Sequence, residues 1–567
     1  MTLKSLLKQY QEKYTVLGVV SLDDWYSYSL VERAPWLMAQ VKSLYRTEFF
    51  LEQRIIFTLS QGDEYTSLDA AAGQILITLQ EALNIVDISN FFVVVLTISP
   101  ELIGPAAEEL KNISTDKIPL TFDFFGCDKP AKKKISNGSE QNRYNYNSRM
   151  PIDVDFQDLS MKEKNLLLES DVFCIYPWTH LFVSPNGDSY PCCGSNFQTG
   201  VVGNTNKNTM KEIWNNSSMN QIRLDMLNDR PVAGCDRCYE QERSGFFSMR
   251  HSANKHHGKH IKRIHSTKTN GSLEKFAMVY WDVRFNNLCN LKCRSCGPQF
   301  SSSWYQDQLK IAPDYKEKAL IYAGKFETDL WEQLIEHIDH VEQIYFAGGE
   351  PLMMDEHYRI LDELERRGKF NVRLIYNTNF TISGLGQRSA FEYWKRFDSV
   401  AVGASLDAMG PRAEYIRKGT EWDTVERNRE QMMDICPQVD FYISATLSVL
   451  NAWHLPDFHR SWTEKGLIKA RDFNINNLTN PSHYRIDILP FGLKKEIEQK
   501  YINHIAWLSP QDDLRRASNG FQSAIKFMNA SDNSSQLDVF RAKTRQLDMI
   551  RNEKIQDKLP ELSSILI

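Results

Sequence analysis

The chain has 567 residues, with 67 Lys and Arg against 72 Asp and Glu for a net charge of −5, 42% hydrophobic residues and 10 cysteines. The charges are mixed, so there is no basic footprint of the kind nucleic acid requires. The longest apolar run, Phe91 to Ile98, is strand length, and Met1 to Tyr10 lacks the apolar core and cleavage site of a secretory signal.

These totals predict a cytoplasmic protein of three or four domains, at roughly 150 residues each, with neither membrane nor nucleic acid as partner. In a reducing compartment, clustered cysteines more often bind metal or do chemistry than form disulfides.

In chain order, residues 1–127 carry the apolar stretches Gln53 to Leu59 and Phe91 to Ile98 around a helical-looking Leu68 to Leu83, which predicts a small α/β domain. Residues 128–169 read as a linker whose polar part, Asp128 to Arg149, is exposed. Residues 170–247 hold Cys174-x12-Gly187-x4-Cys192 and then Cys235-x2-Cys238, with a helical pattern in Thr209 to Leu227. Asn186-Gly187 suits a tight turn between two short strands. Four thiolates from a hairpin and a C-x-x-C turn suit one fully ligated site, either a zinc ribbon or an iron–sulfur cluster. Cys193 competes with Cys192 for one position, and the spacing favours Cys192.

Residues 248–276 read as a second linker. Its Ser248 to Ser272 part contains His251, His256, His257, His260 and His265 without an interleaved acid or cysteine, and is expected to be a solvated basic loop.

Over residues 277–484 six β-rich runs alternate with helical stretches. The runs are Ala277 to Phe285, Val341 to Ala347, Val372 to Tyr376, Val400 to Leu406, Phe441 to Leu447 and Asp472 to Ile475. Such repeats imply parallel strands joined by crossovers, in an open sheet or a partial barrel, with ligands at the C-terminal strand ends. Residues 485–567 read as a mostly helical extension in which Val539 to Leu559 is charged and amphipathic.

Just after the first of these strands comes Cys289-Asn-Leu-Lys-Cys293-Arg-Ser-Cys296. Three thiolates on one loop can hold three irons of a cubane cluster and leave the fourth open to a ligand; a zinc site completed by a distant residue is the other reading. The second strand ends in Ala347-Gly348-Gly349-Glu350-Pro351, where the glycines allow a ligand close to the backbone and the glutamate can accept from an ammonium group.

On these residues the C-terminal half, about 277 to 480, resembles the radical S-adenosylmethionine superfamily. The resemblance implies an α/β fold with a partial (β/α)6 TIM-like barrel. It makes Cys289, Cys293 and Cys296 ligands of a [4Fe-4S] cluster and Gly348, Gly349, Glu350 and Pro351 the site for the methionine part of S-adenosylmethionine. Ser405 and Asp407 resemble residues near the cofactor's ribose, and Arg417 the arginine that meets its carboxylate. Asn377 and Asn379 face the same mouth. The aromatic residue that family members place before the third cysteine is Ser295 here.

Cys174, Cys192, Cys235 and Cys238 resemble the ligands of a twitch or shortened SPASM module with one auxiliary [4Fe-4S] cluster, placed before the barrel instead of after it. The implied reaction is reductive cleavage of S-adenosylmethionine to a 5′-deoxyadenosyl radical that takes hydrogen from a substrate, with a flavodoxin-like or ferredoxin-like electron donor. A peptide or protein side chain is the expected substrate class, and a sugar or aminocyclitol alcohol the alternative. A non-catalytic iron–sulfur or zinc protein would have no use for the Gly-Gly-Glu-Pro strand end.

Overall fold

A computed structural model describes residues 150–566, apart from 244–246 and 327–328, together with the backbone of four strands nearer the N-terminus. The chain divides into two compact units, Met1–Ile135 and Ser136–Ile567. In the first, β1 (Gly18–Ser21), β2 (Arg54–Leu59), β3 (Phe92–Thr97) and β4 (Thr121–Gly126) form a parallel sheet in that order. Both predicted apolar stretches are its inner strands. Leu68 to Leu83 and Asp128 to Arg149 lie outside the described residues.

The second unit is built on one nine-stranded sheet. The cysteine-rich segment contributes β5 (His180–Val183), β6 (Asp188–Tyr190) and β7 (Gly203–Asn204), followed by helices α1 (Met210–Trp214), α2 (Ser217–Leu227), α3 (Asp236–Arg243) and α4 (Met249–His257). Next come β8 (Tyr280–Val283), the short β9 (Lys292–Cys293), β10 (Gln343–Phe346), helix α5 (Asp355–Arg366) and β11 (Arg373–Thr378). A small hairpin, β12 (Gly384–Leu385) and β13 (Arg388–Ser389), precedes β14 (Val400–Ala404), β15 (Arg417–Lys418), α6 (Trp422–Ile435), β16 (Asp440–Leu447), α7 (Leu455–Glu464) and β17 (Phe473–Asn477). The tail holds α8 (Phe491–Leu508), α9 (Arg516–Asn529) and α10 (Leu537–Arg551).

The six repeat strands lie side by side and parallel in chain order, β8-β10-β11-β14-β16-β17. Their alternation explains why they face two ways. In β16, Phe441, Ile443, Ala445 and Leu447 are buried, whereas Tyr442, Ser444 and Thr446 are only partly so; β11 buries Leu374, Tyr376 and Thr378 in the same way. Helices supply the other half of that core through Tyr358, Ile360, Leu361 and Leu364 of α5 and Phe458 and Trp462 of α7.

The cysteine-rich segment is not set apart by a tether. Strand β5 pairs parallel with β8, in the register His180↔Tyr280 to Val183↔Val283, and β6 and β7 extend the same sheet. Asn186-Gly187 makes the expected turn, with Gly187 at φ 87°. Within this segment the fully buried Arg223 donates from Nε to Pro177 O (2.8 Å) and from Nη2 to Trp214 O (2.8 Å), and burial lowers its pKa to about 9.

Ser248 to Ser272, expected to be a solvated loop, contains α4 and a 3-10 stretch, Gly258–Ser266, and several of its polar side chains are buried. Asn254 and Arg250 are buried with polar partners, and His257 packs its ring against an aromatic neighbour. Asn254 accepts from Ile175 N (2.9 Å) and donates to Phe173 O (3.1 Å), Arg250 pairs with Glu242 and donates to Ser170 O (2.7 Å), and the His257 ring stacks on Tyr280 at 5.3 Å.

Candidate functional site

The loop after β8 carries the cysteine triplet and is fixed by its own backbone. Strand β9 pairs antiparallel with β15, setting Cys293 opposite Arg417. The Ser303 hydroxyl donates to Cys289 O (2.7 Å), and Trp304 Nε1 donates to Cys293 O (2.8 Å). Burial raises Cys289 and Cys296 to about 12, helped at Cys289 by the Glu350 charge and then by Cys293 and Cys296, and at Cys296 by Cys293. Among the described residues, no three Cys, His, Asp or Glu groups meet tightly enough to hold a single ion. Three thiols on one loop suit either a cluster with one open iron or a zinc ion completed by a fourth residue.

The strand end after β10 closes on this loop. Gly348 and Gly349 have φ of 84° and 48°. A Cβ on Gly349 would stand 2.2 Å from Leu288 O, the oxygen that accepts from Glu350 N at 2.7 Å, and a Cβ on Gly348 would meet the Arg284 side chain at 2.7 Å. Only glycine lets the two backbones approach this closely.

Glu350 is fully buried. It accepts from Leu352 N (3.1 Å), Thr378 Oγ1 (2.7 Å) and Asn379 N (2.7 Å), which occupy three of about four carboxylate lone-pair directions. Burial raises its pKa to about 7 against these donors. The glutamate thus ties β10 to the end of β11 and keeps one direction for a further donor. Asn379 reaches toward Cys289, its Nδ2 3.9 Å from Sγ.

Asp407 and Arg417 meet beside the same loop. Arg417 donates from Nε to Asp407 Oδ2 (2.8 Å) and from Nη2 to Oδ1 (3.1 Å), while its Nη1 lies 3.7 Å from Cys293 Sγ. Burial opposes the guanidinium charge, but Asp407 and Cys293 hold it above the ordinary arginine value. Ser405 is tied through its backbone, N to Thr378 O at 2.8 Å. Asn377 sits on the partly open face of β11, and Ser295 is half-buried.

Cys174, Cys192, Cys235 and Cys238 gather in the segment before the barrel, each thiol in the field of others of the four or of the Arg250 guanidinium; burial raises all four above the ordinary thiol value. The neighbouring Cys193 turns the other way, beside Asp282 and Arg284, and burial raises it to about 12. Spacing favours Cys192 over Cys193, and Cys192 lies in the field of Cys174 and Cys238 as well as of Cys193.

Asp282 and Arg284 are the feature the sequence reading missed. Asp282 on β8 is fully buried, its Oδ1 accepts from Arg284 Nε (3.3 Å), and its Oδ2 has no hydrogen-bond partner among the described residues. The Arg284 guanidinium lies 4.8 Å over the Phe182 ring, and its stem passes under Gly348. This pair therefore lies between the two cysteine groups. The available signal was two opposite charges two residues apart, Asp282 and Arg284, within the β-rich run Ala277 to Phe285.

The model of SPASM, an iron–sulfur cluster-binding domain, matches residues 174–239. No curated protein matches the chain. Similar solved structures include native anSMEcpe with bound AdoMet and the Cp18Cys peptide (18% identity, 38% of this chain and 56% of that one, TM-score 0.27). Streptococcus suis SuiB bound to S-adenosylmethionine (15%, 39% and 43%, 0.24) and TYW1 with a lysine-pyruvate adduct (13%, 41% and 71%, 0.20) are others. The match spans little more than half of the anSMEcpe chain and less than half of SuiB. The SPASM match covers the segment of the four gathered thiols, which is therefore similar to an iron–sulfur cluster-binding domain and shares one sheet with the parallel β/α repeats that carry C-x3-C-x2-C and Gly-Gly-Glu-Pro.

Proposed function

We propose that the chain is a radical S-adenosylmethionine enzyme that modifies a peptide or protein side chain. The observation that carries the reading is the meeting of three thiols, the Gly348-Gly349 turn and the Asp407–Arg417 pair at the C-terminal ends of parallel strands. Cys289, Cys293 and Cys296 would hold a [4Fe-4S] cluster with one iron open, and Gly348 to Pro351 would take the methionine part of the cofactor. Bound there, the cluster and S-adenosylmethionine supply reductive cleavage to a 5′-deoxyadenosyl radical that takes a hydrogen atom from the substrate.

The chain's own groups do the positioning. The free lone-pair direction of Glu350 suits the cofactor's ammonium, and Ser405 and Asp407 stand on the ribose side. Arg417 offers positive charge next to Cys293, either to the thiolates or to the cofactor's carboxylate. Cys174, Cys192, Cys235 and Cys238 would hold the auxiliary [4Fe-4S] cluster. The peptide class follows the resemblance of the four-cysteine segment to a SPASM module, and a flavodoxin-like or ferredoxin-like donor in the cytoplasm suits thiolate-held clusters.

The test is anaerobic reconstitution followed by dithionite and S-adenosylmethionine. The reading expects about eight irons per chain and release of 5′-deoxyadenosine. Full iron loading without 5′-deoxyadenosine would sink the enzyme reading. About four irons with cleavage intact would remove the auxiliary cluster.

A further inference from the structure

The central cysteine of the triplet, Cys293, is flanked by two charges, Lys292 and Arg294, that pair away from the thiols. Arg294, between Cys293 and Cys296, is buried and points outward into the C-terminal extension. Its Nη2 pairs with Asp548 Oδ1 (2.5 Å) and Glu553 Oε2 (2.8 Å), its guanidinium lies 3.7 Å over Tyr415, and its backbone N donates to Ile416 O (2.9 Å). Asp548 also accepts from Tyr415 Oη (2.9 Å) and Ile555 N (2.9 Å), and Glu553 from Lys418 Nζ (2.9 Å).

On the other side of Cys293, Lys292 Nζ pairs with Asp307 Oδ1 (3.1 Å), and Asp307 Oδ2 pairs with Arg551 Nε (2.9 Å). The Arg551 guanidinium lies 4.8 Å over Trp304, the residue whose indole donates to Cys293 O. Both neighbours of the central cysteine are therefore tied to the end of α10 and the turn after it. Arg551 Nη1 and Nη2 are buried there without a hydrogen-bond partner among the described residues, and Tyr484 lies against Arg294 and Thr544.

We propose that Asp548, Arg551 and Glu553 are positioning residues that hold the Cys289–Cys296 loop in its cluster-binding shape, so that the C-terminal extension completes the catalytic half. The separation in sequence is large, 254 residues between Arg294 and Asp548, so the loop takes its final form only when the end of the chain has docked. A surface ion pair contributes little, but buried pairs with one partner removed leave an uncompensated charge, here within the motif itself. The proposal rests on the reading of Cys289, Cys293 and Cys296 as cluster ligands, and part of its test does not need iron.

That test compares the full-length chain with D548N/E553Q, D548E and the control R545A by amide hydrogen exchange of the 289–296 segment without iron. It also follows the rate at which ferrozine strips iron from the reconstituted proteins. D548N/E553Q should raise exchange in 289–296 at least tenfold and strip about half of the iron at least fivefold faster. D548E, which keeps the charge, and R545A should stay within twofold of the parent. If the double variant does not fold, E553Q alone should show the same pattern at about threefold.

Raised exchange in 537–553 with 289–296 unchanged would overturn the proposal, since the tail would then loosen without the loop. If the parent chain binds no iron, the cluster reading falls while the exchange result still decides whether the extension holds the loop.

Discussion

Replacing Gly349 with alanine isolates how closely the β10 strand end must approach the cysteine loop. At φ 48° an alanine costs about 1–2 kcal/mol in backbone strain. Its Cβ would stand 2.2 Å from Leu288 O, a backbone atom that cannot rotate away. Relief means moving the 287–288 backbone and losing the 2.7 Å bond from Glu350 N, a further cost of about 1–3 kcal/mol for a buried group left unpaired. Together these give about 2–5 kcal/mol, placed where loop and cofactor site meet. At a factor of ten per about 1.4 kcal/mol, S-adenosylmethionine should bind at least 30-fold more weakly.

Gly386 is the matched control. Its φ is 61°, but nothing lies within 4 Å of an added Cβ, so G386A carries the backbone strain without the collision. Equilibrium dialysis of labelled S-adenosylmethionine against the reconstituted variants should separate them, with G386A within about twofold of the parent. Equal affinities for G349A and G386A would refute the close-approach argument.

Other predictions follow from particular contacts. C192S should lose about four irons per chain and C193S none, as read by iron analysis of reconstituted protein; the reverse would assign Cys193 to the auxiliary site. D407A leaves the Arg417 guanidinium buried without its bidentate partner, and should destabilise the chain by about 3–5 kcal/mol in chemical denaturation, whereas D407A with R417M should recover most of that loss. His459 donates from Nε2 to Ala470 O (2.9 Å), which leaves its Nδ1 to accept from His504 Nε2 (3.0 Å), and burial drives both imidazoles well below their ordinary value. Depressed in the fold and near 6.5 when unfolded, they contribute stability above about pH 6.5 that is lost as pH falls toward their folded values. The melting temperature of the iron-free chain should therefore drop on acidification, and H504F should flatten that drop; an unchanged profile would remove the pair from the acid response.

The six repeat strands were legible because each is a short β-rich run between turn signals, and helices such as α5 and α7 because their apolar positions recur at helical spacing. The two cysteine groups were legible from spacing, since the triplet sits on a single loop and Cys235 and Cys238 on one turn. What sequence did not reveal depends on partners far along the chain. Nothing in His180-Leu-Phe-Val183 encodes that its neighbour is β8. The polar stretch of α4 reads as exposed unless one knows that Asn254 finds Ile175 and Phe173. Asp282 looked like one acid in a strand, and its open oxygen is visible only once Arg284 and Cys193 are in place.

The pairing of β5 with β8 also bears on how the protein can be divided. Six parallel strands without β5 would leave the outer edge of β8 unpaired, and an exposed strand edge is a template for association with other chains. A truncation beginning at residue 277 keeps every motif residue of the barrel, yet it should be recovered as aggregate. The cysteine-rich segment thus also protects an edge of the barrel, and solubility and chemistry cannot be inherited separately.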